Sequence, residues 1–170
     1  MSKAYLGIDI GLSGGLCIID KFNTPHLFEM PVTKKAKGQT IDIRGLGVLL
    51  EHFQREYGEI CGAVEKQSSA AFAFKGGGKV GTKVIASLFY QQGVIEGALS
   101  VFNIPFIMVR PQDWKKEILE GTKKDKFAAI QYCVNRYPTV SFKRTARCSK
   151  IHDGFADATC IALFAKERFK

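Results

Sequence analysis

The chain has 170 residues, the size of one domain with an adequate core, and its 46% hydrophobic and 24% charged content is that of an ordinary globular protein. No apolar run approaches the ~20 residues of a membrane span, and five cysteines, odd in number and without a CxxC pair, argue against a disulfide framework and a cysteine-rich zinc site. The net charge of +9 is concentrated: residues 110–150 carry eleven Lys and Arg against four Asp and Glu, and residues 66–83 carry four Lys and no acid.

The remainder of the chain is close to neutral, so the excess points to a polyanionic partner more than to general solubility. Met1 opens no basic-then-apolar leader, and a cytoplasmic protein is expected. Residues 4–12, AYLGIDIGL, read as a buried strand weakened by two glycines. Asp9 stands in the middle of it. A buried carboxylate without compensation costs several kcal/mol, so Asp9 needs a cation beside it; a metal ion and an Arg or Lys partner are both open from this strand alone.

Residues 16–20 and 26–30 read as two further strands joined by short turns, which with the first make an antiparallel meander. Residues 31–40, PVTKKAKGQT, are polar and loop-like. Asp42 is placed to cap a helix reaching about Tyr57, with Leu46, Leu49, Leu50 and Phe53 as its apolar stripe and Gly58 past its end. A short apolar strand, residues 60–64, follows, and Glu65 stands at its carboxyl end. Strand, helix, strand implies a parallel pairing through a crossover.

Residues 67–81, QSSAAFAFKGGGKVG, combine three consecutive glycines with Lys75, Lys79 and, just beyond, Lys83. Phe72 and Phe74 are exposed aromatics if the stretch is a loop, and cations interleaved with rings suit phosphates and bases. A long helix over 82–103 places Ile85, Leu88, Gln92, Ile95, Leu99 and Phe102 on a heptad-type seam, facing either the sheet or the same helix of another copy. Residues 104–109, IPFIMV, read as a fully buried strand. A short helix over 111–119 starts with Pro in its first turn, and another covers 123–136. A basic loop over 139–151 holds Lys143, Arg144, Arg147 and Lys150 and leads into a last helix over 152–169.

On that helix Asp153 and Asp157 are four residues apart, on the face continued by Ile161 and Phe164. Both aspartates are therefore expected on the packed side. If the helix lies on the first strand, Asp9, Glu65, Asp153 and Asp157 converge, and four carboxylates select a hard cation, Mg²⁺ or Mn²⁺. Two such ions about 3.5–4 Å apart serve phosphodiester hydrolysis. Cys148 and His152 also have the spacing of a zinc pair, though chance is the simpler explanation.

Strand meander, helix, then Asp, Glu and a carboxylate pair on the last helix is the retroviral-integrase/RNase H-like layout. More narrowly, LGIDIGLSGG at 6–15, AVEKQ at 63–67, IPFIMVRPQDWKK at 104–116 and HDGFADATCIALFA at 152–165 resemble, in order, the motifs of RuvC-like Holliday junction resolvases, particularly the small phage and poxvirus-type members. The resemblance implies one RNase H-like domain over residues 1–170: a five-stranded mixed sheet, an antiparallel three-strand meander plus parallel strands, flanked by helices. It implies Asp9, Glu65, Asp153 and Asp157 as catalytic metal ligands for two Mg²⁺, with Mn²⁺ as a substitute. It implies a homodimer that resolves four-way DNA junctions by paired nicks leaving 5′-phosphates, with a wedging aromatic at Phe72 or Phe74. Lys75, Lys79, Lys83, Lys115, Lys116, Lys143, Arg144 and Lys150 would hold the DNA backbones. In bacterial members the last pair is spaced three apart from the position that is Gly154 here. Other readings are another nuclease of the same fold acting on branched or flap DNA or an RNA–DNA hybrid, a DNA-junction binding protein without catalysis, and half of a sugar-kinase or actin-like ATPase.

Overall fold

The computed structural model describes residues 3–67, 81–122, 125 and 127–170. Strands β1 (Lys3–Asp9), β2 (Gly15–Ile19) and β3 (Pro25–Glu29) form the antiparallel meander. A small hairpin, β4 (Val32–Lys34) with β5 (Gln39–Ile41), precedes α1 (Ile43–Tyr57). Asp42 caps α1 as expected, its Oδ1 accepting from the Gly45 amide at 3.0 Å, and Gly58 ends it at φ +76°. Strand β6 (Glu59–Glu65) returns parallel to β1, and α2 (Thr82–Val101) leads to β7 (Phe106–Val109), parallel to β6. Helices α3 (Pro111–Ile118), α4 (Ala128–Arg136) and α5 (Asp153–Arg168) complete the order.

The main sheet runs β3-β2-β1-β6-β7, the five-stranded mixed sheet anticipated above. Alternation along the strands divides the core in two. Leu6, Ile8, Leu16, Ile18, Ile60 and Val64 face α1 and α2, where Leu46, Leu50, Phe53, Ile95 and Leu99 meet them. Cys17, Ile19, Ala63 and Val109 face the other way, onto α3, α4 and α5 with Trp114, Ala129, Cys133 and Ile161. Helix α5 is buried from Gly154 to Ala165 apart from Asp157, since the sheet covers one side of it and α3 and α4 cover another. No helix among the described residues is long and apolar enough to cross a membrane.

Three expectations need correction. Residues 31–40 are not simply loop: they contain most of the β4–β5 hairpin, whose three-residue strands are too short for alternation to reveal. Strand β7 is not fully buried; Phe106, Ile107 and Met108 are half-buried and only Val109 is closed off, because β7 is the edge of the sheet. On α2 only the carboxyl-terminal half of the heptad seam enters the core, through Ile95 and Leu99, while Gln91 rather than Gln92 is buried and Val84, Phe89 and Tyr90 are exposed. The helix expected from 123 is described from Ala128.

Candidate active site

Four acidic positions gather at one edge of the sheet. Asp9 ends β1 and Glu65 ends β6; the parallel ladder pairs Ile8 with Val64, so the next step places Asp9 beside Glu65, about 5 Å away between strand backbones. Asp9 shares its strand face with Gly7, and Glu65 shares its face with Ala63, the face that α5 covers. The same row continues outward through Gly15, opposite Asp9, to Glu29.

Helix α5 starts over this edge. His152 is its cap: its Nδ1 accepts from the Phe155 amide at 3.2 Å and its ring lies 4.4 Å from that of Phe155. Asp153 is the first helical residue, its Oδ1 accepting from the Gly154 amide at 3.0 Å, where the positive end of the helix favours an acid. Contrary to expectation Asp153 is exposed, since it lies beyond the sheet edge; Asp157, one turn further in, is half-buried. The helix start lies directly on the β1–β2 turn. A side chain at 154 would meet Ser13 O at 2.9 Å and Gly14 Cα at 3.0 Å, so the packing admits no acid at 154, and the acid of this chain stands at 153.

Electrostatics link the four. Burial pushes the Asp9 carboxyl well above the usual range, and the charges of Glu65, Asp157 and Asp153 push it further, against Lys115. Burial likewise raises Asp157 to about 6, with Lys115 opposing and Glu65 and Asp153 adding to the rise. Lys115, on α3, is thus the cation felt by both aspartates. Glu65 accepts a hydrogen bond from Nε1 of the fully buried Trp114 at 2.9 Å. The Pro-x-x-Trp-Lys-Lys run of the sequence carries this partner, but no local pattern links Trp114 to Glu65, 49 residues away.

The donor set fits a hard divalent cation: four carboxylates, two of them raised by burial and then by the neighbouring acids, with Lys115 in partial compensation. Among the described residues no three potential ligands are drawn together closely enough to hold an ion as they stand, so the carboxylates would have to close up around it.

The raised carboxyls have a measurable consequence. A carboxyl whose folded pKa lies above its unfolded value binds the proton more tightly when folded, so its contribution to stability is present below about pH 4 and is lost as the pH rises through about 6. In chelator, Asp157→Asn should therefore raise the melting temperature at pH 7.5, and its advantage should vanish by pH 4. A shift of this size is worth on the order of 3 kcal/mol, or roughly 6–12 °C for a chain of this length. Equal melting of the two proteins at pH 7.5 would show that Asp157 carries no such penalty.

The basic residues divide. Lys83, Lys115, Lys116, Lys143, Arg144 and Lys150 are all exposed, and Arg144 lies 3.9 Å from Glu29. Phe72, Phe74, Lys75 and Lys79 fall outside the described residues. Arg110 forms a two-pronged pair with Asp113 at 2.7 and 2.9 Å. The Cys148 thiol pairs with Thr145 Oγ1 at 3.2 Å.

No family model matches the chain, and no curated protein matches it in sequence. Solved structures do. It is similar to RuvC of T. thermophilus in complex with a Holliday junction substrate, at a TM-score of 0.57 and 18% identity over 99% of this chain and 96% of that one. The chain has the RuvC fold. A second structure of Thermus thermophilus RuvC gives 0.53 and 18% over 99% and 97%, and the yeast mitochondrial Holliday junction resolvase gives 0.53 and 14% over 92% and 75%. The RNase H-like sheet expected from the motifs is the one observed, and in this chain the RuvC fold brings the ends of β1 and β6 under the start of α5.

Proposed function

We propose that the chain is a divalent-metal-dependent, structure-selective endodeoxyribonuclease that resolves four-way DNA junctions by paired symmetric nicks leaving 5′-phosphates. The observation that carries this is the electrostatic linkage of Asp9, Glu65, Asp153 and Asp157 at one sheet edge of a RuvC fold. These four side chains would hold the metal. Two Mg²⁺ ions, or Mn²⁺ in their place, supply an activated water and charge stabilisation for a phosphodiester.

The chain's own residues do the rest. Trp114 holds Glu65 in place through its indole N–H, as outer-shell donors commonly do for ligand carboxylates. Lys115 offsets the acidic charge and offers a donor to a phosphate oxygen beside it. The exposed apolar residues Val84 and Phe89 on α2 support a homodimer. A two-fold dimer matches a four-way junction, one active site for each of two opposed strands.

The test is cleavage of a synthetic four-way junction against a matched duplex, a flap and an RNA–DNA hybrid, in Mg²⁺ and in chelator. Paired nicks confined to the junction and dependent on Mg²⁺ are expected. Equal cutting of duplex, flap or hybrid would keep the nuclease and overturn the substrate; tight junction binding with no cutting in any metal would leave a binding protein. In the same assay Trp114→Phe should lower the cleavage rate about 10–100-fold while the protein still melts cooperatively. An unchanged rate would show that Glu65 needs no support from the indole.

A further inference from the structure

The β4–β5 hairpin has no role in the site described above, and its composition is unusual. Residues 30–41, MPVTKKAKGQTI, contain Lys34, Lys35 and Lys37 and no acid. From Val32 to Gln39 every residue is exposed. The hairpin therefore contributes almost nothing to the core, and a two-stranded ribbon of this length is marginal in water by itself. It is nevertheless anchored. Met30 and Ile41 are buried in the core at its two feet, and the Asp42 amide donates to Pro31 O at 2.9 Å across its base. At the tip the Lys35 amide donates to Gly38 O at 3.0 Å, and Gly38 takes φ +89° to close the turn. The Lys35 ammonium lies 5.3 Å from the ring centroid of Tyr90 on α2, which ties the tip to that helix. No ion pair among the described residues involves Lys34, Lys35 or Lys37.

Its position follows from the topology. Strand β3 is antiparallel to β2 and β2 to β1, so β3 runs the same way as β1 and ends at the same edge. Glu29, the last residue of β3, lies in the row Glu29–Gly15–Asp9, two strands or roughly 10 Å from Asp9. The hairpin leaves the sheet two residues after the edge that carries the carboxylates and turns towards α2, on the face opposite α5. Lys115, Lys116, Lys143, Arg144 and Lys150 belong to elements on the α5 side of that edge.

We propose that the β4–β5 hairpin is a phosphate-binding arm that holds the backbone of a DNA duplex on the α2 side of the active edge, through Lys34, Lys35 and Lys37. This rests on the nuclease reading above and extends it: DNA crossing the carboxylates would be gripped on both faces of the sheet edge, by the α3 and 139–151 lysines on one side and by the hairpin on the other. Three close lysines on an anchored ribbon, without competing acids, are suited to backbone contact and carry no base readout.

The experiment is equilibrium binding of a four-way junction and of a plain duplex, without divalent metal, over a series of salt concentrations. The proteins are wild type, the triple variant Lys34→Ala/Lys35→Ala/Lys37→Ala, and Lys21→Ala, which removes a lysine from the β2–β3 turn at the opposite edge. Each lost phosphate contact lowers the slope of log affinity against log salt by about 0.9. The triple variant should therefore lose about 2–3 from the slope and bind at least tenfold more weakly at moderate salt, with a melting temperature within a few degrees of wild type, while Lys21→Ala behaves as wild type. An unchanged slope in the triple variant overturns the arm. So does an equal loss per lysine in Lys21→Ala, which would make the effect one of net charge. Wild type binding junction no better than duplex would count against junction resolution, while the slopes on duplex would still report on the hairpin.

Discussion

Asp9→Asn should abolish Mg²⁺-dependent nicking of a four-way junction, by on the order of 10³-fold or more, the size expected when a principal electrostatic group of an active site is removed. The Asp9 carboxyl is pushed well above its usual range by its surroundings: burial raises it first, then Glu65, Asp157 and Asp153 in turn. An amide of the same shape removes the charge that a dication would meet and leaves the strand backbone untouched. Junction binding in chelator should stay close to wild type, because backbone contacts belong to the lysines. The metal-free variant should also melt higher than metal-free wild type at neutral pH, since the substitution deletes a charge that burial and three acids oppose. A loss of cleavage together with a gain in stability separates a metal-site role from a structural one. Wild-type nicking by Asp9→Asn would sink the assignment of Asp9, and lower stability in chelator would show that its charge is compensated in the folded chain.

Gly7→Ala should severely destabilise the protein. A Cβ at position 7 would stand 2.0 Å from Ala158 O and 2.3 Å from Ala162 N, both backbone atoms of α5. No rotamer relieves contacts with backbone, so α5 would have to lift off β1. Helix α5 supplies Phe155, Ile161 and Phe164 to one of the two cores, so that movement would open it. The expected cost exceeds about 4 kcal/mol, in the exceptional range for one substitution, against a typical domain stability of roughly 5–15 kcal/mol. Insoluble expression, or a melting temperature more than 10 °C lower, is the outcome to look for. Ala158→Gly should not rescue it, because the clash is with the carbonyl and not with the methyl group. A melting temperature within a few degrees of wild type would mean that α5 does not lie on β1 at this distance.

Much of this was visible in the residues. The alternation in β1, the Asp42 cap and Gly58 stop of α1, and the four-residue spacing of Asp153 and Asp157 depend on chain-local periodicity and capping, which side-chain chemistry expresses directly. The order Asp, Glu, then two Asp on the last helix sufficed to name the four candidates. What local pattern could not express was contact between distant segments. Gly7 read as a weakness in a strand and is the place where the last helix touches the first strand. Trp114 read as part of a short helix and donates to Glu65, 49 residues away. Asp153 shared a helical face with Asp157 yet lies outside the packed region, because burial depends on where the sheet ends and not on helical phase. Strand β7 looked fully buried because its residues are apolar, and its place at the sheet edge was decided by strand order. The sequence by itself determined the longer elements and the candidate acids. Only the tertiary structure decided which of those acids share one field, since that depends on register between β1 and β6 and on the distance at which α5 crosses them.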